Sequence, residues 1–184
     1  MLEAVSPELI RRAQDGETLV VSEIYDRYQQ DVFRYMYYRV GDRQTAEDLT
    51  SEVFLRMIEK ISSYEIRRTS FQAWLFQIAR NLSIDHYRKT KSDSRITLEE
   101  NIPGTGEEPL EIIDRELTSE NLCRALSELP EHQRDVIVMR FVVGMPLREV
   151  AQTLHKTEDS IKGLQRRALL DLRDILTEWE VSYV

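Results

Sequence analysis

The stretch LREVAQTLHKTEDSIKGL, residues 147–164, decides the fold of the C-terminal half. Its spacing is that of two short helices joined by a tight turn. Ala151 is small where the two helices must approach closely, Val150 and Leu154 share its inner side, and Ile161 and Leu164 return to the same small core. Thr157 is placed to cap the second helix, with Glu158 and Asp159 favourable in its first turn. His155 stands at the turn, where a backbone with φ > 0 is wanted and Gly would serve at lower cost. The outward face of the second helix shows Ser160, Lys162, Gly163, Arg166 and Arg167. Such a helix can enter a major groove, its first turns at base edges and its later basic residues on phosphates. The same small-and-apolar pattern also occurs in antiparallel helix pairs, so by itself the segment leaves DNA binding and plain bundle packing both open. Gly163 costs a helix about 1 kcal/mol against Ala; it either allows close backbone approach to DNA or is a lapse in the helix.

On either side of this segment the chain reads as helix after helix. Ser6, Pro7 and Glu8 form an N-cap, a first-turn proline and a dipole-favoured acid, and Gly16 is a stop. From 17 to 40 an apolar set of Leu19, Ile24, Tyr28, Val32, Met36 and Val40 recurs near helical spacing; Gly41 closes that helix and Asp42 caps the next. A third helix is predicted over 45–61, with Ala46, Leu49, Val53, Met57 and Ile61 along one side, then a loop at 62–70. A fourth spans 71–89, carrying Phe71, Trp74, Leu75, Ile78 and Leu82. From 90 to about 111 the pattern stops: Pro103, Gly104, Gly106 and Pro109 stand among acids, a composition that cannot bury enough surface to order itself. Periodicity resumes over 112–129, ends at Pro130, and continues at 131–143, 146–154 and 158–179. The expected fold is all-α. Two small helical domains, 1–91 and 112–184, are joined by a flexible acidic linker at 92–111, and the C-terminal one contains the helix-turn-helix.

Composition bounds the function. The 184 residues carry 25 Lys and Arg against 33 Asp and Glu, a formal charge of −8. Only 6 Gly and 5 Pro leave few breaks, which disfavours a β-sandwich. Apolar runs such as 136–139 fall far short of the ~20 residues a membrane span needs, and the first residues lack a signal pattern. A cytoplasmic protein without membrane insertion is expected. Cys123 is the lone cysteine, so neither an internal disulfide nor a multi-cysteine metal site can form. It is expected to pack as a small apolar residue rather than act as a redox sensor. The acidic balance conceals one basic segment: residues 67–91 carry a net charge of +5, against −5 for 1–66, −6 for 92–118 and −2 for 119–184. A protein holding nucleic acid through bulk electrostatics alone would be more basic. Either it does not bind nucleic acid or something larger holds it there.

Two stretches resolve that choice. YDRYQQDVFRYMYYRVGDRQTAEDLTSEVFLRM followed by FQAWLFQIARNLSIDHYRK resembles the second region of bacterial sigma factors. ALSELPEHQRDVIVMRFVVGMPLREVAQTLHKTEDSIKGLQRRALLDLR resembles their fourth. A short chain with only those two regions and a linker resembles the extracytoplasmic-function (ECF) group. The resemblance covers nearly all of residues 20–176. It implies an alternative transcription initiation factor that binds core RNA polymerase through the β′ clamp helices and β flap, recognises minus-10 and minus-35 promoter DNA, and assists opening. It also implies an anti-sigma partner; no cofactor, no metal and no enzymatic activity are expected.

Residue by residue, the resemblance assigns core-polymerase binding to Asp48, Leu49, Glu52, Val53, Phe54 and Arg56. It assigns the minus-10 element to Arg67, Arg68, Trp74, Arg80, Asn81, Asp85, Arg88 and Lys89. Asn81, Asp85 and Arg88 share a helix face, and the whole set lies in or beside the basic segment, as single-strand capture requires. Trp74 has two readings, stacking on a base or packing in the core. Asp85 has two as well, DNA contact or structural partner of Arg88 or Arg80. The minus-35 element is assigned to Arg148, Thr157, Ser160, Lys162, Gly163, Arg166 and Arg167. His155 stands where the family often has Gly.

Other classes have less in the residues. Asp48 and Glu52 form a helical carboxylate pair and His86 follows Asp85, yet there is no nucleophile–base–orienter set, phosphate-cradling Gly loop or HExxH motif. A dimeric helix-turn-helix regulator would bind palindromic DNA without polymerase, and a helical adaptor would bind only protein. For the sigma reading, the free chain should bind promoter DNA weakly and with strong salt dependence, and tightly only with core polymerase. Titration of labelled promoter with and without core checks this; tight sequence-specific binding by the chain alone in physiological salt would contradict it.

Overall fold

The computed structural model describes residues 5–66, 68–93 and 110–182. Among them the regular elements are helical. Arg67 and residues 94–109, where most of the linker was expected, lie outside the described residues.

The N-terminal half is built on three long helices and a short one. Helix α1, Pro7–Gln14, starts where Ser6 Oγ accepts the Leu9 N–H at 3.2 Å, with Pro7 at the first position. Helix α2, Thr18–Val40, ends on Gly41 at φ 77, the left-handed conformation glycine adopts without strain. Helix α3, Arg43–Lys60, is capped by Asp42, whose carboxylate accepts the Thr45 N–H at 2.7 Å; that bonding holds the Asp42 carboxyl below its ordinary range. A single 3₁₀ turn, Ile61–Ser63, and a loop then lead to α4, Phe71–Asp93. Gln14 of α1 donates to the carbonyls of Ile61 and Tyr64, both at 2.9 Å, and pins that turn. One prediction fails here: Leu19 is 85% exposed while Val20 is buried. Leu19 lies five residues before Ile24, well off its face, whereas Val20 lies four before it.

The C-terminal half begins with α5, Leu110–Glu128. Helix α6, Glu131–Ile137, runs into a π turn at Val138–Val142, where an unbroken α-helix was expected. The wider turn keeps Val138 and Met139 buried, and Gly144 (φ 80) then reverses the chain. Helix α7, Leu147–Thr153, and α8, Glu158–Ser182, are the helix-turn-helix. The ends of the expected linker are helical instead: residues 92–93 continue α4, and 110–111 open α5.

The two halves pack against each other. Helices α2 and α4 touch α5, the π turn and α7, so one buried apolar cluster runs from Val5 to Ala168. Glu149 of α7 is caught in this junction. Burial raises its carboxyl above the ordinary 4.5, offset in part by a hydrogen bond from Ser70, and its Oε2 has no hydrogen-bond partner. The protonated form is therefore the stabilising one. Its contribution is full below 4.5 and is lost as pH rises through the raised value. Glu149→Gln should raise the melting temperature at pH 7 and leave it nearly unchanged at pH 4; equal gains at both pH values would contradict a burial cost on the charge.

Candidate nucleic-acid interface

Helix α3 has one face for the core and one for solvent. Ala46, Thr50, Val53, Phe54 and Met57 are buried, whereas Asp48, Leu55, Arg56 and Glu59 are exposed and Glu52 is half-buried. Arg56 donates to Glu52 at 2.9 Å. Two residues expected at the polymerase surface are thus turned inward: Val53 has no exposure, and the Phe54 ring packs on Tyr25 with centroids 4.7 Å apart. At one hundred degrees per residue both fall opposite Asp48. Leu49 is half-buried. The apolar groups that α3 offers outward are Leu55 and Ile58, at 56% and 50% exposure.

Helix α4 exposes Asn81, Asp85, Arg88 and Lys89 together, as their spacing predicts. Trp74 takes the core alternative, packed beside Tyr64 and Phe71 with centroids at 4.9 and 5.5 Å and one edge on an interdomain cleft. The Tyr64 hydroxyl donates to the Thr69 carbonyl at 2.7 Å and ties the loop ahead of α4; burial pushes this phenol up to about 12. Arg68 is exposed, 3.9 Å from Glu65. Arg80 departs from expectation. Its Nε donates to Asp135 at 2.7 Å and its Nη2 to Glu131 at 2.9 Å, so it faces the C-terminal half rather than solvent. Asp85 is not its partner.

The helix-turn-helix is built as its spacing requires. Val150, Ala151, Leu154 and Ile161 are buried, with Leu164 packed against them. His155 takes φ 51, and a Schellman closure forms as the Lys156 N–H reaches the Ala151 carbonyl at 2.9 Å and the His155 N–H reaches Gln152 at 3.3 Å. Thr157 Oγ1 accepts the Ser160 N–H at 3.2 Å. Arg148, Ser160, Lys162, Arg166 and Arg167 are exposed, Lys162 held 3.0 Å from Asp159. A Cβ on Gly163 would meet only the Arg167 guanidinium, at 3.7 Å, so packing within the chain does not demand glycine.

Cys123 is half-buried, its thiol directed at the Tyr37 carbonyl, and burial pushes it up to about 11. It packs as a small residue, with little thiolate at neutral pH. Among the described residues no group of three or more His, Cys, Asp or Glu could hold a metal, and no helix is long and apolar enough to cross a membrane.

Comparison with known proteins falls on these same elements. Sigma-70 region 2 matches residues 24–92 and sigma-70 region 4 matches residues 125–174. The chain is 38% identical to the ECF RNA polymerase sigma factor BldN of Streptomyces coelicolor, over 93% of its own length and 66% of that protein's. It is 32% identical to the ECF RNA polymerase sigma factor SigX of Bacillus subtilis, over 82% of its own length and 80% of that protein's. The chain belongs to the ECF RNA polymerase sigma factors. It is an alternative transcription initiation factor that recognises promoters. Its fold is similar to that of the sigma factor RpoE from Bartonella quintana, solved in complex with the anti-sigma factor NepR, with a TM-score of 0.66 at 22% identity over 85% of this chain and 96% of that one.

Sequence reasoning missed Asp135 and Gln152, which join the halves of this sigma factor. The one signal for Asp135 was a lone acid directly ahead of the apolar run 136–139. Gly163→Ala should raise stability by up to ~1 kcal/mol in thermal unfolding. A lowered melting temperature would show that the helix backbone at 163 is strained.

Proposed function

We propose that this sigma factor docks on core polymerase through the exposed stripe of α3 and reads a promoter with its two halves. The observation that carries the reading is that stripe. Asp48, Glu52, Leu55 and Glu59 line up at helical spacing, Arg56 and Ile58 flank them, and Leu55 and Ile58 stay exposed beside ionised groups. A mixed apolar and acidic helix face fits another helical surface, as the β′ clamp helices would present. Val53 and Phe54 shape this face from behind rather than touching the partner.

In the same reading, residues 1–91 form the region that takes the minus-10 strand. Asn81 hydrogen-bonds a base edge, and Arg68, Arg88 and Lys89 hold phosphates. Residues 112–184 form the minus-35 domain, with Arg148 and the α8 side chains Ser160, Lys162, Arg166 and Arg167 toward the major groove and the β flap as the polymerase contact. Residues 92–111 join them. Thr157 acts as the helix cap and Gly163 gives the backbone room near DNA. An anti-sigma protein is proposed as a regulator, supported by the capture of RpoE with NepR. A factor that acts with polymerase on genomic DNA works in the cytoplasm, by binding rather than by catalysis.

The test is transcription by purified chain and bacterial core polymerase on fragmented genomic DNA, with start sites mapped. New starts sharing two upstream elements are expected. Asp48→Lys/Glu52→Lys should lose them together with core affinity, by about tenfold or more as for desolvated interface charges. Full core binding and unchanged starts in that variant would remove α3 as the docking helix.

A further inference from the structure

Four guanidinium groups from three helices line one cavity of about 920 Å³. Arg39 comes from the end of α2, Arg80 and Arg88 from α4, and Arg134 from α6. The carboxylates nearby are already engaged. Asp135, fully buried, accepts from Arg80 Nε at 2.7 Å and lies 3.3 Å from Arg39 Nη1. Glu131 accepts from Arg80 Nη2 at 2.9 Å, and Asp42 caps α3. Arg134 spends its Nη2 on the Ser127 and Leu129 carbonyls. Among the described residues no carboxylate forms an ion pair with Arg134 or with Arg88.

This crowding of like charges is unfavourable as it stands. The Arg134 pKa is lowered, first by burial and then by the charge of Arg39. Among the described residues Arg134 Nε finds no acceptor. Arg39 Nη1 finds none either, since its contact with Asp135 is ionic and not a hydrogen bond. The Arg39 side chain is only 6% exposed, so water does little to relieve it. An anion in the cavity would supply the missing negative charge, and phosphate oxygens match the guanidinium fork.

The walls limit what else that anion carries. Ile84, Tyr87 and Leu129 give the cavity apolar and aromatic surface beside the arginines. Its volume falls within the range of small-molecule sites, roughly 300–1,000 Å³. Arg39 and Arg80 sit deep, so they suit the end of a compact ligand better than a strand passing over the surface.

We propose that this cavity binds a nucleoside di- or triphosphate, with the phosphates among Arg39, Arg80, Arg88 and Arg134 and the base against Ile84, Tyr87 and Leu129. A nucleotide seated there touches α2, α4, α5 and α6 at once and stabilises the protein by mass action. The site stands apart from the polymerase-docking and promoter-reading roles above, and its test needs neither polymerase nor promoter.

The experiment titrates the purified full chain with ATP, GTP, inorganic pyrophosphate or adenosine in physiological salt, by calorimetry and by thermal unfolding. ATP or GTP should bind and raise the melting temperature. Pyrophosphate should bind about tenfold more weakly, and adenosine not measurably. Arg88→Ala, at an exposed position, should weaken nucleotide binding about tenfold, the usual scale for one charge-assisted hydrogen bond. Arg134→Gln should weaken it too, and Arg88→Ala decides the matter if that variant fails to fold. Arg173→Ala, which removes an exposed cation outside the cavity, should change nothing. Equal weakening in Arg173→Ala would reduce the effect to general charge attraction and overturn the site. Binding insensitive to Arg88→Ala, or no binding of either nucleotide at millimolar concentration, would overturn it as well. Pyrophosphate binding as tight as the nucleotides would overturn the base wall. A short mixed-sequence single strand that displaces ATP and binds more tightly would give these arginines to nucleic acid and overturn the small-ligand assignment.

Discussion

A carboxylate without access to water needs its charge paired and its oxygens hydrogen-bonded where it sits, and among the described residues the partners of Asp135 belong to the other half of the chain. Tyr35 and Arg39 come from α2 and Arg80 from α4. Those side-chain bonds tie α6 to α2 and α4. The lie of α6 then carries α7 onto the loop ahead of α4, where Gln152 and Thr153 find backbone partners. Arg134, next to Asp135, has its pKa lowered by burial and by the like charge of Arg39, and it donates to the Ser127 and Leu129 carbonyls at the end of α5. Neighbouring residues on one short helix thus bind opposite sides of the junction.

The interfaces divide by what water can reach. On α3, residues at the core-facing angle hold the bundle together, and the outward side leaves Leu55 and Ile58 exposed among charged side chains. On α8, Ile161 and Ala168 anchor the helix, while Ser160, Lys162, Arg166 and Arg167 stand free of the core. A net charge of −8 is compatible with promoter recognition on this plan, because docking on polymerase supplies the proximity that bulk attraction would otherwise have to provide.

Helix limits were legible because caps are local chemistry. Ser6, Asp42 and Thr157 each accept the backbone N–H expected of them, and Gly41 and His155 take the positive φ their positions require. The faces of α4 and α8 followed from spacing for the same reason. One error came where spacing is applied without the angle it implies: Leu19 is grouped with Ile24 despite the five-residue step. Val53 and Phe54 come to the polymerase surface through the family resemblance, although spacing already puts Val53 on the apolar side of α3, and both are buried. The π turn at Val138–Val142 left no mark in the apolar pattern, since a run buried on all sides has no periodicity to read.

Thus the order of helices, their caps, the helix-turn-helix and the membership in a family of promoter-reading proteins were written in the chain itself, as local bonding and recurring side-chain spacing. What only the tertiary structure decided was the fate of charges that meet across long separations. Arg80 is a solvated cation by its place on a basic helix, and it becomes a buried ion pair solely because Asp135, 55 residues away, is brought against it. No local rule records that encounter, because its energy depends on two halves of the chain excluding water from the same spot.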